Sequence, residues 1–145
     1  MYVISKEELD STIAAARYAA KIKRRATIPS REWWDEIRDA EVTPAFDVAV
    51  RALNDASIRG KVERKNGGSG IALRAGSDFA RHLTFTHAPE VDGLRVSSSE
   101  SILDETWDDR GHTTEDTVGA KVREFVGLIA ADYPEKRGPL QIGRP

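Results

Sequence analysis

The residues best placed to do chemistry in this 145-residue chain lie together in Asp104-Glu105-Thr106-Trp107-Asp108-Asp109-Arg110-Gly111-His112. Carboxylate oxygens suit hard cations such as magnesium or calcium, and a histidine beside carboxylates is a potential proton-transfer group. Asp104, Asp108 and His112 are the candidate catalytic set, with Arg110 as a clamp for a phosphate-bearing substrate. Convergence on one concave pocket is what that reading requires. The spacing does not match an EF-hand calcium loop, and the adjacent side chains of Asp108 and Asp109 tend to diverge. No catalytic residue and no metal ligand is therefore assigned. The plain reading of the same stretch is a solvated acidic loop; as a functional site it reads as an acidic docking epitope formed by Asp104, Glu105, Asp108 and Asp109, with Trp107 as its apolar anchor, because aromatic side chains dominate binding hot spots.

The other chemistry-bearing residues assemble less. With no cysteine, the chain has no disulfide, thiolate zinc site, iron–sulfur centre or cysteine nucleophile. His82 and His87 differ by an odd number, so a regular strand puts them on opposite faces and they do not share a zinc ion. His87 shares a face with Leu83 and Phe85 and reads as a partly buried histidine with one hydrogen bond. Asn66-Gly67-Gly68-Ser69-Gly70 lacks the Lys-Ser or Lys-Thr of a phosphate-binding loop and reads as a turn. No cofactor is implied.

Charge is laid out unevenly although its sum is only −2. From Thr12 to Arg31 every formal charge is positive, whereas residues 90–116 are strongly acidic. Arg17, Lys21 and Arg24 are spaced four and three apart, which makes them one stripe of a helix. Cations complement the macrodipole at a helix C-terminus, so part of this run has a structural cause. As a binding surface the stripe suits an acidic protein or, alternatively, nucleic acid phosphates. Trp33 and Trp34 lie about 100° apart on a helix, so one belongs in the core. The other is covered by Arg38 or exposed as an anchor, and Trp34 is the candidate.

These residues must be positioned by elements that the periodicity outlines. Ser5-Lys6-Glu7-Glu8 has the form of a capping box and opens a helix to about Arg25, with Leu9, Ile13, Ala16 and Ala20 along one stripe. The alanines leave room for a neighbouring element to approach. Ser30 is expected to cap a short helix through Trp33, Trp34, Ile37 and Ala40. Thr43-Pro44 opens a third helix, marked by Phe46, Val50 and Leu53, that ends before Gly60.

Lys61 to Lys65 and Ile71 to Arg74 flank the Asn66–Gly70 turn as a hairpin with a flexible loop. Further strands are expected at His82–His87 and Leu94–Ser98, with Ser101-Ile102-Leu103 extending or bending back. Asp104 to His112 reads as a surface loop. Thr113 or Thr114 then caps a last helix with an apolar stripe of Val118, Val122, Phe125, Val126 and Ile129.

The expected architecture is α+β, with N-terminal helices, an antiparallel meander of three to five strands, and a C-terminal amphipathic helix packed on the sheet. One domain over residues 1–133 and a flexible tail over 134–145 complete the expectation. No apolar stretch approaches the ~20 residues that span a bilayer, and no signal-peptide pattern opens the chain, so a cytoplasmic location is expected. The functional expectation is a small non-catalytic protein that binds another macromolecule, most favourably a protein, in an inhibitor, immunity or phage-type antagonist role. A nucleic-acid module or a small hydrolase or transferase is the alternative.

Overall fold

A computed structural model describes residues 3–108, 110–113 and 115–134, and the side chains of residues 112 and 115 lie outside that description. Of the expected tail, residues 135–145 fall outside it too.

Helix α1 spans Lys6–Arg25. Ser5 Oγ accepts the Glu8 N–H at 3.1 Å, and Glu7 and Glu8 occupy the first turn while Lys23, Arg24 and Arg25 occupy the last. Both ends therefore complement the macrodipole. Helix α2 (Ser30–Ile37) runs through a π-helical turn (Arg38–Val42) into α3 (Thr43–Asp55). Proline has no N–H and its ring clashes with the carbonyl four residues back, so the helix widens just before Pro44 and the Thr43 N–H reaches Arg38 O instead. The two helices expected to be separate are one continuous helical run. Ser30 is already helical and follows the N-cap Pro29. Its hydroxyl pairs with His87 Nε2 at 2.7 Å, so it ties α2 to the sheet and does not cap the helix as expected.

Five strands follow in an antiparallel sheet ordered as they occur in the chain: β1 (Gly60–Lys65), β2 (Gly70–Ala75), β3 (Arg81–Ala88), β4 (Gly93–Ser98) and β5 (Glu105–Trp107). Register places Ile71 beside Phe85 and Phe85 beside Val96, so one face is apolar. The opposite face carries the Arg74–Glu63 ion pair and the His82–Thr84 hydrogen bond. Alternation thus assigns one face to the core and one to water.

Helix α4 (Glu115–Ala131) closes the apolar face beside α3. Its Val118, Val122, Phe125 and Ile129 join Trp33, Trp34, Phe46, Leu73, Phe85 and Leu94 in one buried cluster. Each large side chain so buried contributes about 1.5–3 kcal/mol. Tyr133, just past α4, accepts the Ser77 N–H through its hydroxyl at 3.0 Å, which fastens the helix end to the turn between β2 and β3.

Strand β5 corrects the reading of residues 104–112 as a loop. Leu94 pairs with Trp107 and Val96 with Glu105, so the first part of the segment is an edge strand. A Cβ on Gly93 would stand 1.7 Å from Trp107 O, so this close approach depends on glycine. Trp107 is only 5% exposed and packs 5.5 Å from the Phe85 ring. Its placement as an exposed anchor is overturned, because strand alternation turns the indole inward.

Trp34 is corrected likewise. It is 0% exposed, its indole N–H donates to Gly68 O at 2.8 Å, and its ring stacks on His87. Trp33 is buried beside it under the Arg110 guanidinium. Both tryptophans are core because α2 lies in the angle between the sheet and the segment after β5. The Asn66–Gly70 turn adopts positive φ at Asn66, Gly67 and Gly68, and its carbonyls are held by Arg31, Trp34 and Arg38.

Candidate functional site

Two features stand out around the first helix, its bare shaft and a cleft at its root. Every residue from Lys6 to Ala20 is exposed. Leu9 is 49% exposed and Ile13 48%, and Ala16 and Ala20 continue the same stripe uncovered. The expected neighbour that would cover the alanines is not present among the described residues. At about 100° per residue, this stripe points away from Ile22 and Arg25, the side on which α1 touches the rest of the molecule. The helix thus projects with its apolar face outward.

The root of α1 is held by ion pairs. Arg24 donates to both carboxylate oxygens of Glu36, one at 2.8 Å. Hydrogen bonding from Arg24 is the main cause that lowers the Glu36 pKa below its ordinary value, against the opposing effect of burial. Arg25, 4% exposed, donates to Glu41 at 3.1 Å, and Lys21 approaches the same carboxylate at 3.6 Å. Arg25 Nε and Glu41 Oε2 are buried without hydrogen-bond partners. Lys21 and Arg24, two members of the expected basic stripe, are therefore compensated inside the fold. Arg17 and Lys23 have no ion-pair partner among the described residues.

A cleft of about 480 Å³ opens beside this root, between Ile22, Trp33 and Ile37 on one side and Asp92, Asp108 and Arg110 on the other. Arg110 is engaged on several sides as it lines the cleft. Its Nε donates to Asp92 at 3.0 Å, Nη1 donates to the carbonyls of Arg25 and Ile28 at 2.7 Å each, and its guanidinium lies 5.6 Å from the Trp33 ring centroid. These are the orphan carbonyls at and beyond a helix C-terminus, where a cation is favourable. Arg110 thus caps the end of α1.

The proposed acidic set is dispersed. Asp104 accepts the Ser98 N–H at 2.8 Å and turns the chain from β4 to β5. Glu105 accepts the Trp107 indole N–H and pairs with Lys121 Nζ at 3.2 Å. Asp108 lines the cleft, at the other end of β5 from Asp104. Asp109 and the His112 side chain lie outside the described residues. Among the described residues no group of three or more His, Cys, Asp or Glu side chains is close enough to hold a metal ion. The convergence of Asp104 with Asp108 that catalysis requires is contradicted, since a strand separates them.

His82 and His87 occupy opposite faces of β3, and both have pKa values lowered from 6.5, chiefly by burial. Arg74 lowers His82 further and Arg31 lowers His87. The feature that sequence reasoning missed is the exposure of the apolar stripe of α1. Its signal was present: five alanines give a helix that can form without tertiary support.

No helix among the described residues is long and apolar enough to cross a membrane. No family model, curated protein or solved structure matches the chain.

Proposed function

We propose that this protein acts without catalysis, by binding another macromolecule, and that α1 is its docking element for a protein partner. One observation carries this reading: α1 is a helix anchored by ion pairs at one end whose Leu9–Ile13 stripe is uncovered and turned away from the body. Soluble helices ordinarily bury such a stripe, and helix-in-groove recognition uses anchors at this spacing. An inhibitor, immunity or phage-type antagonist role accords with that arrangement. The anchors are Leu9 and Ile13, while the exposed Arg17 and Lys23 supply steering charge. Nucleic acid is the weaker reading, because Glu36 and Glu41 already compensate Arg24 and Lys21.

The test places a photo-crosslinking residue at position 13 and, as a control on the body, at position 48, whose valine is also exposed. The expected result is one discrete protein adduct from position 13 and none from position 48. The identified partner, purified, should bind with at least about tenfold lower affinity to Leu9→Lys, the loss of one anchor contact. Equal adducts from both positions, or binding indifferent to Leu9→Lys, would overturn the reading. So would DNA or RNA binding that responds to Arg17→Glu and not to Leu9→Lys.

A further inference from the structure

We infer that the partner of α1 is α1 of a second copy of this chain, packed antiparallel across the Leu9–Ile13–Ala16–Ala20 stripe. This inference rests on the reading of α1 as a docking element and names its occupant.

Charge selects the orientation. The first half of α1 carries Glu7, Glu8 and Asp10 against Lys6, which pairs with Asp10 at 2.7 Å, and the second half carries Arg17 and Lys23 besides Lys21, Arg24 and Arg25, which Glu36 and Glu41 already compensate. A parallel pair would set like ends together, whereas an antiparallel pair sets each acidic half beside the other copy's basic half. Asp10 and Arg17 lie seven residues apart on the same flank of the stripe, and in an antiparallel pair that flank meets itself. Asp10 of each copy then faces Arg17 of the other, and the contact occurs twice by symmetry.

Shape selects the register. Placing Ile13 opposite Ala16 of the second copy also places Leu9 opposite Ala20, so all four layers match a large side chain with a small one. Lys6 meets Lys23 one layer further out, and this like-charged pair ends the apolar contact and opposes any extension of it. Ile22 and Arg25 join α1 to the body from the side opposite the stripe, and the Arg24–Glu36 pair, on the Asp10–Arg17 flank, lies beyond the last apolar layer at Ala20. Four layers span only about 17 Å of helix, which is less than a standard stable interface, so the expected dimer is weak, with a Kd on the order of tens of micromolar.

Sedimentation equilibrium of the full chain tests this from about 1 μM to about 500 μM, a range that brackets an interface of this size. The expected result is a monomer–dimer equilibrium that shifts to monomer in Leu9→Lys, with the thermal transition unchanged because Leu9 supports nothing in the body. Asp10→Arg and Arg17→Asp should each be monomeric alone, since each sets like charges opposite one another. Mixed in equal amounts they should form a heterodimer, because both cross pairs become complementary, and the double variant Asp10→Arg/Arg17→Asp should recover self-association.

A native chain that stays monomeric throughout overturns the inference, as does a dimer that persists in Leu9→Lys or a mixture that forms no heterodimer. The crosslink at position 13 separates this failure from that of the docking reading. A monomeric chain whose position 13 captures a different protein refutes self-pairing alone, whereas a monomeric chain with no adduct refutes both.

Discussion

His87 shows how one side chain in this fold couples burial to acidity. Its ring stacks on Trp34 with 9° between planes, its Nε2 is bonded to Ser30, and burial lowers its pKa from 6.5. The unfolded chain therefore takes up this proton first as pH falls below 6.5, which stabilises the unfolded state, and the loss continues until the folded pKa is passed. His82 acts in the same direction. Glu36, Asp39 and Glu100 are lowered by hydrogen bonds from Arg24, Arg38 and Arg81, so their contributions are lost at still lower pH, as it falls through their folded pKa values. Urea unfolding between about pH 7 and about pH 5, either side of the ordinary histidine value, should show falling stability, and a shallower fall in His87→Gln. An equal slope in the two proteins would remove His87 from the account.

Among the elements, those with a strong period were legible and those defined by contact were not. The boundaries of α1 and the stripe of α4 follow from capping and spacing, and β3 and β4 from alternation. Strand β5 was not legible, because three residues in an acidic stretch give no period and pair only because β4 offers an open edge. The fate of Trp34 was also hidden, since it depends on a carbonyl 34 residues away at Gly68. That turn supplies a further prediction. Gly68 has φ +91° and a Cβ there would stand 2.8 Å from Arg38 Nη1, whereas Gly67, at φ +65°, has open space around it. Gly68→Ala should cost about 2–3 kcal/mol and Gly67→Ala about 1 kcal/mol, because both pay for the left-handed backbone but only the first displaces a neighbour. Equilibrium unfolding of the two variants measures the difference, and equal costs would mean that Arg38 yields freely. The candidate site was half legible: the stripe of α1 could be read, but its exposure is a property of where the other elements are not.

At the scale of the whole molecule, the chain divides into a body that holds the apolar cluster and a shaft that contributes nothing to it. Removal of residues 1–19 should therefore leave the thermal midpoint within about 2 °C of the full chain, as expected when no core contact is lost, while far-UV circular dichroism loses the signal of the missing helix. A marked drop in the midpoint would show that the shaft supports the body after all. The remaining consequence concerns Arg110, which follows the edge strand β5 and whose guanidinium grips the carbonyls of Arg25 and Ile28. Twenty residues of helix form a lever about 30 Å long, so a tilt of about 10° at that grip carries the tip through about 5 Å. The aim of the first helix thus rests on the ion pairs of Arg24 and Arg25 with Glu36 and Glu41 and on one side chain that arrives from a different part of the fold, so small adjustments around Asp92 and Arg110 are magnified at Leu9.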